Sequence, residues 1–294
     1  MSVTIIINPI AGGVGPEQAR ARAELASAVV DTNGDTAEVF LTERRGHAQE
    51  LARAALRRGT RLVISWGGDG TLNEVASALA FQDVPIGLVP AGSGNGFARE
   101  LGVNVLPGQA IADAIRAEPR TIDLGQVNDR LFVNVAGFGL DAHVAAQFDK
   151  PDNRRRGFAG YAAITARALA SYVPETYKIT TTEGCKVSRA VLVTVANSAQ
   201  FGSGARIAPR ALLDDGLLDL VVVEERARWR TVLNVRRLVD GTVEKIPGCS
   251  ICHIQQATIE SDRPMVFHVD GEPVDGGTRL EVRVLPGALR VAVR

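Results

Sequence analysis

The first 120 residues alternate between short apolar runs and longer stretches with apolar residues at helical spacing. An apolar run at 3–8 ends in Asn8-Pro9-Ile10-Ala11-Gly12-Gly13. Pro16 then suits the first position of a helix, and Gly34 the residue just past its end. The same rhythm predicts a strand at 37–42, a helix at 46–58 closed by Gly59, a strand at 62–66, a helix at 71–80, a strand at 85–89 and a helix at 95–101. Such β-α-β-α alternation specifies a parallel sheet covered by helices. The rhythm changes near Asp123. Beyond it the chain reads as short β-rich runs at 131–136, 177–183, 187–196, 217–223, 254–260, 265–270, 279–284 and 288–293, with helices at 140–149, 158–172 and 226–239. Successive strands with turn signals predict a mainly antiparallel, β-sandwich-like second domain. The expected division is an α/β domain over 1–124 and a β-rich domain over 125–285, with residues 286–294 free to return to the first.

Composition narrows the classes. The 294 residues are 46% apolar and 22% charged, ordinary for a soluble globular protein with a packed core. Lys plus Arg and Asp plus Glu are both 33, so the chain lacks the basic excess of a dedicated nucleic-acid binder. Only four lysines occur, Lys150, Lys178, Lys186 and Lys245, and none precedes position 150. This excludes a lysine-bearing P-loop in the first half. It also excludes the protein-kinase arrangement, with its strand lysine soon after a Gly-rich loop. Three cysteines are too few for a disulfide scaffold. No apolar run reaches the roughly 20 residues that span a bilayer. The segment Met1–Asn8 lacks a basic n-region and reads as a strand. The expectation is a cytoplasmic protein, with any membrane contact peripheral, at the inner face.

Three glycine-rich segments follow predicted strands of the first domain. Gly67-Gly68-Asp69-Gly70-Thr71-Leu72-Asn73-Glu74 ends a buried strand and opens a helix. Glycine lets backbone approach a ligand closely, and a helix N-terminus offers free N–H groups to phosphate. Asp69 is unfavourable beside bare phosphate and suits a metal ion, a water or a ligand hydroxyl. Taken alone, this segment is equally a tight turn with Asp69 as a cap. Asn8–Gly13 and Pro90-Ala91-Gly92-Ser93-Gly94-Asn95-Gly96 end two further strands. Strands of a parallel sheet present their carboxyl ends on one edge, where ligands bind. The three turns together describe a nucleotide cradle of backbone amides without lysine. None fits the Gly-x-Gly-x-x-Gly dinucleotide fingerprint.

These segments resemble the diacylglycerol kinase catalytic-domain family, which includes bacterial lipid kinases and sphingosine kinases and is distantly related to NAD kinases. Asn134-Val-Ala-Gly-Phe-Gly-Leu-Asp-Ala, Leu212-Leu-Asp-Asp-Gly-Leu-Leu-Asp-Leu and Val269-Asp-Gly-Glu-Pro extend the resemblance through the second half. It implies an NAD kinase-like first domain and an ATP-dependent lipid kinase acting on a hydroxyl of diacylglycerol or a sphingoid base. ATP would lie in the interdomain cleft, touching Asn8, Gly12, Gly13, Thr42, Gly67, Gly68, Asp69, Gly70, Thr71, Leu72, Asn73 and Ser93. A structural Mg2+ would be held by the Asp215 side chain and the carbonyls of Leu212 and Leu217. Glu272 would be the general base, and Asp69 would support a catalytic Mg2+, with Asp123 and Asp141 candidates to complete the acidic cluster. Read without the resemblance, Asp214-Asp215-Gly216 and Asp270-Gly271-Glu272-Pro273 are turns. Gly96 stands where family members acting on diacylglycerol often carry Asp, which leaves the acceptor lipid open. A kinase of a soluble substrate such as NAD, and a catalytically silent nucleotide-binding regulator, are the alternatives. Implied partners are a lipid substrate and a membrane face but no nucleic acid; a homodimer stays open.

Other features have separate readings. Cys249-Ser250-Ile251-Cys252-His253 fits a haem-attachment spacing. A zinc site there would need Cys185 or His268 as a further ligand, and incidental thiols are the preferred reading. His47 and His143 are read as packing or solvent residues. The cluster Asn153-Arg154-Arg155-Arg156-Gly157 and the basic amphipathic pattern at 226–239 are candidate membrane-facing segments, the second equally a surface helix packed on a sheet.

Overall fold

The computed structural model describes residues 1–13, 15–148, 168, 172–202, 204–226, 237 and 240–294. The basic cluster at 153–157 lies outside the described residues. So do the helices expected at 158–172 and 226–239, apart from single positions. Two compact units are present. One comprises Met1–Ile122 with Gly287–Arg294, the other Asp123–Pro286.

The first unit runs β1 (Ser2–Ile7), α1 (Pro16–Thr32), β2 (Thr36–Leu41), α2 (His47–Arg58), β3 (Leu62–Gly67), α3 (Asp69–Leu79), β4 (Ile86–Pro90), α4 (Gly96–Glu100) and α5 (Pro107–Arg116). Its strands are parallel, with β1 between β2 and β3, and β4 beyond β3. Strand alternation sends Val3, Ile5 and Ile7 of β1 and Leu62, Ile64 and Trp66 of β3 to one face. There they pack with Val30 of α1 and Ile111 of α5. A fully buried aliphatic side chain of this kind contributes about 1.5–3 kcal/mol. Helices α2 and α3 pack on each other, and α2 packs on β1. Helix α5 is additional to the helices that the sequence pattern predicts. Pro107 opens α5, and Ala110, Ile111, Ala114 and Ile115 form its buried stripe.

The second unit begins within β5 (Arg120–Val127) and continues with β6 (Arg130–Phe132), β7 (Val135–Gly139), α6 (Leu140–Phe148), β8 (Glu175–Thr181), β9 (Gly184–Ala196), β10 (Gln200–Gly202), β11 (Ala205–Arg206), β12 (Leu218–Glu224), β13 (Cys249–Ile254), β14 (Gln256–Ser261), β15 (Val266–Val269), β16 (Glu272–Asp275) and β17 (Arg279–Val291). Its strand pairs are antiparallel. The long strand β9 changes partners along its length. Gly184–Ala190 pairs with β8, while Leu192–Ala196 lies between β7 and β12. Phe132, Phe138, Tyr177, Val193 and Phe267 anchor the core, with the rings of Phe138 and Phe267 stacked at 5.8 Å.

The strands depart from the sequence expectation at three places. The run read as one strand at 131–136 is two strands, β6 and β7, separated by Val133 and Asn134. The run at 254–260 is the end of β13 and all of β14. The runs at 279–284 and 288–293 belong to one strand, because Pro286-Gly287 does not interrupt β17. In β17, Gln256–Glu260 of β14 pairs with Arg279–Arg283, and Val291 pairs in parallel with Ile86 of β4. No helix among the described residues is long and apolar enough to cross a membrane.

Candidate active site

The turns after β1, β3 and β4 sit at the carboxyl ends of neighbouring strands, and they touch. After β1, the Asn8 N–H donates to the Trp66 carbonyl at 2.9 Å, and Asn8 Oδ1 accepts from the Ile10 N–H at 3.1 Å. Its Nδ2 donates to Thr71 Oγ1 at 3.1 Å, joining the first turn to α3. Arg22 of α1 donates to the carbonyls of Asn8 and Ala11 at 3.3 and 3.0 Å. The same guanidinium lies 5.7 Å from the centre of the Trp66 ring. This gives Trp66 a role beyond packing: its π face supports the arginine that holds the first turn.

The second and third turns approach backbone to backbone. The Ala91 N–H donates to the Gly67 carbonyl at 2.8 Å. A Cβ placed on Gly92 would lie 2.7 Å from Gly68 Cα, so the approach requires glycine. A Cβ on Gly94 would meet Asp69 Oδ2 at 3.1 Å, and one on Gly12 would meet the Ala91 carbonyl at 3.0 Å. Asn95 closes the third turn on itself, accepting from the Gly92 N–H and donating to the Gly92 carbonyl, both at 2.8 Å. Ser93 is left exposed at the tip.

Gly12, Gly67, Gly68, Asp69, Gly92 and Gly94 are therefore brought into one small region of the first unit. Thr42 joins them at the end of β2, its N–H bonded to the Ile7 carbonyl at 2.9 Å. Gly70 and Asn73 lie on the first turns of α3. Thr71 and Leu72 are buried, so their side chains build the site rather than line it. Sequence reasoning gave no role to Arg22, Asn95 or Glu74. The carboxylate of Glu74 accepts from the Gly46 and Ala48 N–H groups at 2.8 and 3.0 Å, capping α2 and fixing the loop that follows Thr42. Only the spacing of Glu74 within the Gly67–Glu74 segment signalled it.

Known proteins match both halves of the chain. Residues 2–127 match the diacylglycerol kinase catalytic domain. Residues 134–293 match the YegS C-terminal NAD kinase beta sandwich-like domain. This chain belongs to the diacylglycerol kinase catalytic-domain family. A probable YegS-like lipid kinase of Pseudomonas fluorescens is 34% identical, over 94% of this chain and 90% of its own. One from Chromohalobacter salexigens is 31% identical, over 86% of this chain and 83% of its own. A putative diacylglycerol kinase from Bacillus anthracis shares the fold with a TM-score of 0.82 at 22% identity, covering all of this chain and 95% of that one. The chain is accordingly a kinase of the lipid kinase class, with an alcohol group as acceptor.

The second unit of the kinase holds the remaining candidates. Glu272 is half-buried and opens β16, directly after a two-residue hairpin turn. Both turn residues have positive φ, Asp270 at 48° and Gly271 at 86°, the conformation that Asp-Gly favours in hairpins. The Asp270 carboxylate accepts from the N–H groups of Val133, Asn134 and Val135 at 2.8, 2.9 and 3.0 Å, pinning this turn to the segment before β7. Asp215 lies on an exposed turn, and its Oδ1 accepts from the Leu217 N–H at 3.0 Å. Buried Asp123 anchors the same turn. Its Oδ2 accepts from the Gly216 N–H at 2.7 Å, and its own N–H donates to the Leu213 carbonyl at 2.7 Å. Asp141 is engaged elsewhere, with buried His268.

Magnesium takes hard oxygen donors and retains several waters. One carboxylate on an exposed turn, with the flanking carbonyls of Leu212 and Leu217, is a donor set of that chemistry. Among the described residues, no group of three or more His, Cys, Asp or Glu side chains is arranged to hold a metal. The Cys249–His253 segment forms β13, whose alternation puts Cys249 and Cys252 on opposite faces, and His253 lies 3.5 Å from Asp219. Burial raises the Cys249 thiol to about 11, which suits an inert side chain.

Proposed function

We propose that this kinase transfers the γ-phosphate of ATP to the hydroxyl of a membrane lipid. The observation that carries the proposal is the convergence of three glycine turns on one edge of the first unit. Their backbone amides and the first turn of α3 offer phosphate an amide cradle with partial positive charge, without a lysine. Phosphoryl transfer requires positioning and charge stabilisation more than covalent chemistry. Gly12, Gly13, Gly67, Gly68 and Gly70 would accommodate the phosphates. Thr42, Asn73 and Ser93 would supply polar contacts.

Asp69 would orient a hydrated Mg2+, and Asp215 with the Leu212 and Leu217 carbonyls would hold a structural one. Mg2+, when bound, neutralises charge on the transferred phosphate. Glu272 would accept the proton of the lipid hydroxyl as that oxygen attacks phosphorus. The pinned Asp270-Gly271 turn supports this role, because a base must be held still to be effective. Peripheral contact with a membrane surface would bring the lipid. Diacylglycerol and sphingoid bases both remain in the acceptor class.

The purified protein incubated with labelled ATP, Mg2+ and a panel of lipids should form a phospholipid product. Glu272→Ala should reduce turnover by at least about 100-fold. Full turnover in that variant would remove Glu272 from the mechanism. Formation of NADP in place of a lipid product would replace the lipid acceptor with a soluble one.

A further inference from the structure

His268 and Asp141 form a buried pair in the second unit, each only 4% exposed. His268 Nε2 lies 3.2 Å from Asp141 Oδ2. Across the ring, the Gly271 N–H points at Nδ1 at 3.2 Å. A backbone N–H can only donate, so Nδ1 is an acceptor and carries no proton. The proton of the neutral ring is then on Nε2, where it donates to Asp141. Asp141 accepts twice more, from the Ala142 N–H at 2.9 Å and the Thr194 hydroxyl at 3.3 Å. The space for the pair exists because residue 137 is glycine: a Cβ there would overlap both Asp141 Oδ2 and His268 Nε2.

The geometry points to His268 as a positioning residue for phosphoryl transfer: its Nδ1 fixes the Gly271 amide, and thereby the carboxylate of Glu272 one residue further on. The inference rests on Glu272 being the base. Two anchors then hold the hairpin tip. The Asp270 side chain is clamped by three amides from one side, and the Gly271 peptide is clamped by the ring from the other. Asp141 and Thr194 set the tautomer that makes the second clamp available. Without it, the Gly271 peptide could rotate while the rest of the hairpin stayed paired, and Glu272 would lose its direction.

Two variants separate this role from plain packing. His268→Gln keeps a polar group toward Asp141 but has no acceptor at the place of Nδ1. His268→Asn keeps such an acceptor in its Oδ1 and gives up Asp141. With whichever lipid of the panel accepts phosphate, His268→Gln should lower kcat roughly 10–100-fold with KM for ATP unchanged, as expected for a misplaced catalytic group. His268→Asn should stay within about fivefold of the parent kcat, even though it melts lower, since it strands part of a buried carboxylate. Activity and thermal stability should thus rank the two variants in opposite order. An active His268→Gln, or a His268→Asn less active than it, would overturn the assignment. Nitrogen-15 spectra of the unsubstituted protein give a readout independent of the acceptor: the His268 ring should carry its proton on Nε2, and a proton on Nδ1 would overturn the inference. If Glu272→Ala were fully active, the base itself would be wrong, while the ring spectra would still decide how Gly271 is held.

Discussion

The Asn8 side-chain amide donates to the Thr71 hydroxyl at 3.1 Å, tying the turn after β1 to the opening of α3. The same side chain accepts from the Ile10 N–H, so one residue shapes its own turn and binds it to the next. Asn8→Ala should therefore weaken nucleotide binding about tenfold and lower stability by about 1–2 kcal/mol. Titration with a non-hydrolysable ATP analogue and a denaturant melt measure the two effects. Unchanged affinity would mean that the first turn does not help to hold the nucleotide.

Gly92 and Gly68 meet where no side chain fits. Gly92→Ala places a methyl 2.7 Å from Gly68 Cα and 2.9 Å from Asn95 Oδ1, so the two turns must separate. The contact lies at an edge rather than in the core, so the fold should survive. KM for ATP should rise by at least about tenfold as backbone donors move off their positions. Steady-state kinetics with circular dichroism as a control tests this, and parental kinetics would show that the turns need not touch.

Asp270 is the acceptor for three main-chain donors. Asp270→Asn replaces one acceptor oxygen with a donor, which faces an amide N–H. The loss should be about 1–3 kcal/mol, visible as a lower urea midpoint. Because the residue precedes Gly271 and Glu272, kcat should fall as well. A variant with the parental midpoint and kcat would show that the hairpin tip is held by other contacts.

The acid limb of stability should carry one identifiable contribution. Arg61 beside Asp35 holds its carboxyl down to about 2, below the usual 3.8; the Arg61 hydrogen bond is the main cause. The folded state therefore prefers the ionised form. The contribution is complete above about pH 4 and is lost as the pH falls toward 2. At neutral pH it amounts to about 1 kcal/mol after solvent screening. Asp35→Asn should lose that amount near pH 7 and converge with the parent near pH 2. A constant difference across that range would dissociate the effect from this carboxylate.

The glycine segments were legible because each follows an apolar run and precedes a helical pattern, which puts each at the carboxyl end of a parallel strand and so on one edge of the sheet. Residues whose signal is spread over the chain were not legible in the same way. Asp141 and His268 are 127 positions apart, and neither type is unusual where it stands. Arg22 is one of the basic residues on α1, and its carbonyl partners on the first turn become evident only in the folded chain. Helix α5 carries local signals, Pro107 and a stripe of Ala and Ile, but it is short and directly precedes the change of rhythm near Asp123, where helical periodicity is hard to separate from the strand pattern that follows. Cys249–His253 suggested ligand chemistry, although the alternation of Ile251 with polar neighbours already described a strand. The Pro286-Gly287 step reads as punctuation in sequence, yet here it is passed without a break, as pairing on either side of it continues.

That uninterrupted last strand has a consequence for synthesis. The Phe81 N–H donates to the Ala288 carbonyl, and Ala292 donates to Ile86, so the first unit borrows residues made long after its other strands. A ribosome that has delivered residue 122 has not yet delivered the strand end that closes this sheet beside β4. The early segment must wait with one border uncovered while the intervening β-rich region is translated. Protease resistance of this unit should accordingly require Gly287–Arg294, and a chain cut short before that segment should be cleaved within the unit.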